Sequence, residues 1–275
     1  MAGRRSGKWL VSLVVVMVLG GSGSAVAYQV PREPFSQGQM AIAKLPGSEL
    51  AQTISVTGQT ELFDATTAGV RGSTDSTYSP AIARTTPAED IVVNTGTCAS
   101  TGSCGNRGTV TITFSQPVRD PILHLAGIGG AATQTVNGRP TGQSELHSVF
   151  RLTTAGLSLS KVGQGNNLAV AGDTITAANH DAGPNCLNTD TGEGPDSAAT
   201  GACGSVRVNG VVKAVAFDIT AMFTKNAKLP AFNTPSSGDV FSLVASTGED
   251  FGDAPASYGA AWSVLSDVRL GPEAT

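Results

Sequence analysis

Oxygen-bearing side chains are densest between Asn179 and Asp196, in a segment that also carries Gly, Pro and a cysteine. The candidate ligand-binding residues of this segment are Asn179, His180, Asp181, Asn188 and Asp190. Its candidate metal ligands are Asp181, Asp190, Glu193 and Asp196, because Ca²⁺ prefers carboxylate oxygens. An EF-hand is disfavoured, since Ala199 stands where the twelfth position needs an acidic residue. A calcium site of another kind, a polar ligand-binding loop and a plain solvated loop remain open, and no other cofactor is indicated.

Residues for acid–base or nucleophilic catalysis form no local motif. The chain has no G-x-S-x-G segment, and no local sequence pairs a Ser or Cys with a His. His124 and His147 each lie inside an apolar run, which predicts packed, hydrogen-bonded core residues rather than general bases. Glu145, Asp173 and Asp218 could serve a glycan-active enzyme only if the fold aligned them, and we therefore predict no catalytic residue.

The segment Gly127-Ile128-Gly129-Gly130-Ala131-Ala132 superficially matches the G-x-G-x-x-A loop that binds dinucleotide phosphates. That chemistry needs a following helix, whose N-terminus holds the pyrophosphate. Residues 133–138 instead predict a strand and a turn. We therefore expect a glycine-rich loop between two sheets.

Composition and alternation predict an all-β fold. The chain has 34 Gly, 14 Pro and only 14% charged residues, which favours short strands joined by tight turns. In 109–114, Val and Ile or Phe alternate with Thr, as in a half-buried antiparallel strand, and 121–126 could pair with it as a hairpin. Asn209-Gly210 between 206–208 and 211–213 predicts a type I′ hairpin.

Further strands are predicted at 146–153, 157–162, 173–177 and 240–245, and the strand that starts at 211–213 is predicted to continue through 217–219. Together these elements predict a two-sheet antiparallel β-sandwich of the jelly-roll type. The predicted organisation is a signal peptide at 1–27, an extended lead-in at 28–50 that can add an edge strand, a sandwich at 51–248 and a terminal segment at 249–275.

The N-terminal residues predict export. Arg4, Arg5 and Lys8 precede an apolar run at 9–19, and 25–27 form an A-x-A cleavage site. The apolar run is shorter than the roughly 20 residues of a membrane-spanning helix, so we expect cleavage and no span in the mature chain. The net charge of the mature chain would be −7, from 14 basic and 21 acidic residues. Nucleic acid is not expected as a partner, because the chain lacks the clustered Lys and Arg that phosphate binding needs. We expect a secreted or cell-surface location.

The four cysteines form two local pairs, Cys98 with Cys104 and Cys186 with Cys203. An oxidising compartment favours two disulfides, and of three possible pairings the nearest-neighbour one closes the most turn-rich segments. Zinc is disfavoured, because neither pair has C-x-x-C spacing and the three histidines are scattered.

Two segments carry a resemblance to a known family. The strands and loop of 109–130 resemble the non-repetitive, lectin-like domain of CshA-type fibrillar surface adhesins, over roughly 50–250. Residues 249–259, followed by 266–272, resemble the start of a GEVED-type segment of modular bacterial surface proteins. Ser263 departs from that pattern, where a His is expected, and no LPxTG wall-anchoring motif follows.

The resemblance implies a lectin-like sandwich that binds host or matrix glycoproteins or glycans without catalysis. It marks no binding residue on this chain. The alternatives are a secreted glycan-active enzyme on a jelly-roll scaffold and a structural stalk or spacer.

Overall fold

The computed structural model describes residues 27–31, 40–45, 50–66, 77–83, 86–178, 201–251 and 262–264. All regular elements in these ranges are β-strands, which form two antiparallel sheets packed face to face. The first eight are β1 (Ala27–Gln29), β2 (Ala41–Lys44), β3 (Ala51–Val56), β4 (Thr60–Thr66), β5 (Ala88–Asn94), β6 (Gly102–Arg119), β7 (Ile122–Ile128) and β8 (Gly130–Val136). The others are β9 (Arg139–Leu152), β10 (Ser158–Asn166), β11 (Leu168–Ala171), β12 (Thr174–Ala177), β13 (Ala202–Asn209), β14 (Val211–Lys225), β15 (Gly238–Phe251) and β16 (Trp262–Val264). The predicted all-β sandwich is confirmed.

Sheet I has the strand order β10-β13-β7-β15-β5-β4, and β1 and β16 also pair with β15. Sheet II has the order β11-β12-β9-β14-β6-β3-β2, and β8 also pairs with β9. The lead-in therefore does supply an edge strand, β2. β15 continues through position 249, where the GEVED-like segment was predicted to begin, and Glu249–Phe251 pair with Trp262–Val264.

The core lies between the sheets and follows the predicted alternation. Val110, Ile112 and Phe114 of β6 are buried, while the threonines between them are only partly buried. Phe150 of sheet II packs edge-on against Phe241 of sheet I, with ring centroids 4.9 Å apart. Aromatic pairs of this geometry add to the burial that holds two sheets together.

The hairpin predicted at Asn209-Gly210 is wrong. β13 belongs to sheet I and β14 to sheet II, so the chain crosses between the sheets at this dipeptide. A type I′ turn needs positive φ at both central residues, but only Gly210 has it, at 124°. The Gly210 backbone N–H donates to Oδ1 of Asp120 (2.7 Å), and the Asp120 N–H donates to the Gly210 carbonyl (2.9 Å). Asp120 thus fixes the crossing.

The hairpin suggested for 109–114 and 121–126 is also wrong, although both strands exist as β6 and β7. Asp120, with φ 48°, turns the chain from sheet II into sheet I. The two crossings at Asp120 and Gly210 lie side by side, because β6 and β14 pair up to Arg119 and Val211. The type I′ signature occurs instead at Asn137 and Gly138, with φ 50° and 74°, between β8 and β9.

The remaining predicted strands are confirmed as β9, β10, β12, β14 and β15, most of them longer than predicted. Gly127–Gly130 do connect the two sheets, since β7 lies in sheet I and β8 pairs with β9 of sheet II. The phosphate-loop interpretation is thereby excluded for these residues, because a strand follows the glycines.

Gln52 of β3 is a buried polar link between the sheets. Its Nε2 donates to the Ala245 carbonyl (3.1 Å), and its Oε1 accepts from the Ala245 N–H (3.0 Å). The pairing of β5 with β15 ends where Leu243 lies opposite Glu89. If the same register continued for two more residues, Pro87 would lie opposite Ala245. Proline has no N–H to donate, so the Gln52 amide replaces the backbone partner that β5 does not provide.

We expect Gln52→Met to lower the free energy of unfolding by about 2–4 kcal/mol, since two buried backbone groups of Ala245 lose their partners while the side-chain volume is kept. Urea unfolding would measure the change. Thr53→Val, one residue away on the outward face, is the matched control and should change stability by no more than about 0.5 kcal/mol. Equal stabilities of Gln52→Met and Thr53→Val would contradict this role.

Candidate functional site

Several connecting segments lie together at one end of the sandwich. We call it the upper end; it contains residues 95–101, Gly129, the outer part of the β8–β9 hairpin and residues 226–237. The antiparallel registers place them together: Ala202 pairs with Ile128, Gly102 with Phe223, and Lys225 with Ser144. Recognition by β-sandwiches commonly uses loops clustered in this way.

The predicted binding loop is attached at the upper end, but its predicted site residues lie outside the described residues. These are Asn179, His180, Asp181, Asn188, Asp190, Glu193 and Asp196. On one side the chain is held at Ala178, whose N–H donates to the Asn167 carbonyl at 2.6 Å. On the other side Ala202 pairs with Ile128 at the start of β13. Both attachment points are therefore joined to the sandwich by backbone pairing.

Disulfides reinforce the upper end. Cys98 and Cys104 are bonded, with their Cα atoms 5.3 Å apart, which confirms that predicted pair. Cys104 belongs to a small apolar cluster with Leu146 and Phe223, separate from the main core. Cys203 is also disulfide-bonded, and its predicted partner Cys186 lies outside the described residues.

Residues 226–237, here called the strap, close the upper end between β14 and β15. Asn233 Nδ2 donates to the carbonyls of Thr95 (3.0 Å) and Cys98 (2.9 Å), joining the strap to the disulfide segment. The Phe232 N–H donates to Ser144 Oγ at 3.0 Å. Gly96 passes so close to the strap that a Cβ there would lie 2.0 Å from the Pro235 carbonyl oxygen. The strap is thus bound at several points to its neighbours.

The β8–β9 hairpin projects beyond the sheet. β14 accompanies β9 only as far as Ser144, and beyond it the two arms pair with each other up to Val136 and Arg139. We call residues 133–143 the finger; its arms extend about 15 Å at the usual rise per strand residue. Residues 134–141 are exposed, with Arg139 their one charged side chain. The Gln143 N–H donates to the Pro230 carbonyl at 2.8 Å, so the finger is supported at its base by the strap.

Asp239 is a buried carboxylate that ties the two sheets together below the finger. β9 is accompanied by β8 up to Leu146 and by β12 from Phe150, which leaves a gap beside Ser148. Asp239 Oδ2 accepts the Ser148 N–H at 2.7 Å, and Oδ1 accepts the Gly129 N–H at 2.8 Å. Burial raises the pKa of Asp239 to about 6, against the opposing effect of these hydrogen bonds.

His124 is confirmed as a hydrogen-bonded core residue. Its Nδ1 lies 2.9 Å from Ser205 Oγ and its Nε2 lies 2.8 Å from Ser246 Oγ. Ser205 Oγ also accepts the Ser79 N–H, so its own hydrogen is available to Nδ1, which favours a proton on Nε2. Burial lowers the pKa of His124 to about 3. Both serines and the histidine have 0% exposure, so this Ser-His pair is closed to any substrate.

The structure separates Glu145 from the other two candidate catalytic carboxylates, Asp173 and Asp218, which both lie beside Arg151. Asp173 accepts a hydrogen bond from Arg151 Nε at 3.1 Å, which, with the neighbouring Thr174, lowers the pKa of Asp173. Asp218 lies opposite Arg151 in the register and accepts from Thr109 Oγ1 at 3.1 Å. Glu145 is six residues along β9 from Arg151, or about 20 Å away. Glycoside hydrolysis needs a protonated acid roughly 5–10 Å from a second carboxylate, and Asp173 is held ionised instead.

Within the ranges that the structure covers, no three His, Cys, Asp or Glu residues are close enough together to hold a metal ion. A search of the same ranges finds no helix with the length and apolarity of a membrane span.

Sequence reasoning missed the finger, the strap and Asp239. The finger had a local signal, because Asn137-Gly138 is a second type I′ dipeptide, placed between two alternating segments. The strap had no such signal, since the hydrogen bonds from Asn233 and Phe232 that attach it to its neighbours join residues more than 80 positions apart. Asp239 likewise depends on Gly129, 110 positions away.

Comparison with protein-family models, curated proteins and solved structures finds no match to this chain.

We expect acid to destabilise the protein through His124. Its folded-state pKa is lower than the unfolded value of about 6.5, so the stabilising effect is full above that pH and is lost as the pH falls towards 3. The loss should approach about 1.4 kcal/mol per pH unit. The difference in unfolding free energy between wild type and His124→Asn, measured from pH 7 to 4, isolates it. A pH-independent difference would contradict the buried neutral imidazole.

Asp239 should give the opposite slope. Its folded-state pKa is raised, so between about pH 4 and 6 the folded state binds more protons than the unfolded state, and stability falls as the pH rises. The full effect is about 3 kcal/mol, and Asp239→Asn should abolish it. Because the two slopes overlap and oppose each other, each single variant should show a stronger pH dependence than wild type over this range. If the stability of Asp239→Asn ran parallel to wild type, the carboxylate would be ionised throughout.

Proposed function

We propose that this chain is an extracellular recognition module, which binds glycans or glycoproteins at the upper end of its sandwich. The observation that carries the proposal is the convergence there of Ala202, a disulfide-closed segment, the strap and the finger. Binding surfaces gain affinity when their loops are ordered before the ligand arrives, because less conformational entropy is then lost.

The chemistry of the finger suits a polar, uncharged ligand. Its exposed residues 134–141 include Gln134, Thr135, Asn137 and Thr141, whose amides and hydroxyls can donate and accept hydrogen bonds. Arg139 adds five donors without an acceptor. Sugar hydroxyls are matched by such a mixed set of donors and acceptors.

The predicted location agrees with this function. A predicted export signal at 1–27, an observed disulfide and the resemblance to CshA-type adhesins all favour a secreted or cell-surface protein. The adhesin resemblance extends the proposal to host or matrix glycoproteins as partners. The class of ligand is taken from this resemblance. The upper end is the part of the molecule that we expect to bind the ligand.

The test is binding of the purified chain to arrayed glycans and extracellular-matrix glycoproteins, with calcium and then with a chelator. We expect reproducible binding that weakens when Arg139 is replaced by Ala. Arg151→Ala is the matched control, because Arg151 is also an exposed arginine but lies on the outer face of sheet II, away from the upper end. Loss of binding on chelation would assign a cation to the 179–196 segment.

Two results would count against the proposal. A folded chain that binds nothing on either array at micromolar concentration would favour a spacer. Binding that is lost with Arg151→Ala but kept with Arg139→Ala would move the site from the upper end to the outer face of sheet II.

A further inference from the structure

The chain contains two Asn-Gly dipeptides, Asn137-Gly138 and Asn209-Gly210, and the fold places them in opposite chemical situations. Asn-Gly is the dipeptide in which the backbone nitrogen of the second residue most readily attacks the side-chain amide of the first, because glycine has no side chain to obstruct the approach. The surroundings of each dipeptide therefore decide whether its asparagine can react.

Asn209-Gly210 is locked on both reacting groups. The Asn209 amide donates to the Ser158 carbonyl and to Ser158 Oγ, each at 3.2 Å, and its Oδ1 accepts from Ser160 Oγ. The attacking nitrogen would be that of Gly210, whose N–H is engaged by Asp120 Oδ1 at 2.7 Å. A Cβ on Gly210 would lie 2.9 Å from Leu157 Cδ2, so a side chain packs closely over the backbone there.

In Asn137-Gly138 both reacting groups, the side-chain amide and the glycine nitrogen, are accessible. The dipeptide forms the exposed turn at the tip of the finger, and in the part of the chain that the structure describes neither the Asn137 amide nor the Gly138 nitrogen has a hydrogen-bond partner. No atom lies within 4 Å of the position of a Cβ on Gly138. The last backbone pair holding the turn is Val136 with Arg139, at the free end of a two-stranded ribbon. Such ends open locally at low free-energy cost.

We propose that Asn137 is a site of spontaneous deamidation, while Asn209 is protected by the fold. The Gly138 nitrogen loses its proton to solvent base and bonds to Cγ of Asn137, and the Cγ–Nδ2 bond breaks to release ammonia. Water then opens the resulting succinimide at either carbonyl, giving Asp or isoaspartate at position 137. The net reaction consumes one water, releases one ammonia and requires no enzyme or oxidant.

The product changes the finger. Arg139 is the one charged side chain among residues 134–141, and a carboxylate two residues before it brings the net charge of the tip from +1 to zero. Isoaspartate also adds a backbone atom to a two-residue turn whose φ angles are matched to its strands. This inference does not depend on the proposed function, since it uses only the reactivity of the chain itself.

The test follows both sites in one sample. The full chain is incubated at mildly alkaline pH, and peptide mass mapping with enzymatic methylation of isoaspartate quantifies conversion at each Asn. In the folded chain we expect Asn137 to convert about tenfold or more faster than Asn209, because opening free energies differ between an exposed tip and a paired strand. In urea the two should convert at similar rates.

Equal rates at the two sites in the folded chain would overturn the proposal, as would conversion at both sites in urea and at neither in the folded chain. Asp120→Ala frees the Gly210 nitrogen and should raise the rate at Asn209, and Asn137→Gln should remove the faster reaction. If Asp120→Ala does not fold, the comparison of the two sites in the unaltered chain still decides the outcome.

Discussion

Backbone hydrogen bonding at the interruptions of the two sheets is the constraint on which the rest of this structure depends. Strands of a sandwich end at different heights, and each ending leaves a buried N–H or C=O without a neighbouring strand. In this chain side chains take the missing places: Gln52 beside Ala245, Asp239 beside Ser148, and Asp120 beside Gly210. Leaving such groups unpaired would cost about 1–3 kcal/mol each, a large part of the stability of one domain.

These replacements also connect the two sheets, and Asp239 does so at the upper end. Asp239 is the second residue of β15, which follows the strap, and its carboxylate holds Gly129, immediately before β8. Movement of the start of β15 relative to Gly129 or to β9 would therefore break buried, charge-assisted hydrogen bonds. The Cys98–Cys104 disulfide and Asn233 fix the opposite side of the strap in the same way. A hydrogen-bonded and disulfide-braced frame around exposed polar segments agrees with the recognition role that we propose, whereas the Ser205-His124-Ser246 chain lies buried in the core.

Sequence reasoning was sufficient for properties that depend on near neighbours. Alternation in 109–114, the packing of His124 within its apolar run and the Cys98–Cys104 pair all follow from local spacing, and all are confirmed. The pairing partners of the strands did not follow from local sequence. Asn209-Gly210 has the composition of a type I′ turn, yet β13 gains more from pairing with β7 and β10, and β14 from pairing with β6 and β9, than either would from a two-stranded hairpin. Asp120, 90 positions away, decides this outcome, and no local window includes it.

The two Asn-Gly dipeptides show how far tertiary contacts can separate identical local sequences. At Asn137 the positive φ angles of both residues agree with the intrinsic preference of the pair, and nothing else is needed to hold the turn. At Asn209 the same residues are held by Ser158, Ser160 and Asp120, in a conformation that the dipeptide alone does not favour. The local preference of the dipeptide therefore determines the backbone conformation of Asn137-Gly138, which lies outside the core. Packing determines the conformation of Asn209-Gly210, where the sheets meet. The finger keeps its turn because it projects beyond the sandwich, and the same projection leaves its amide open to solvent and to ligands.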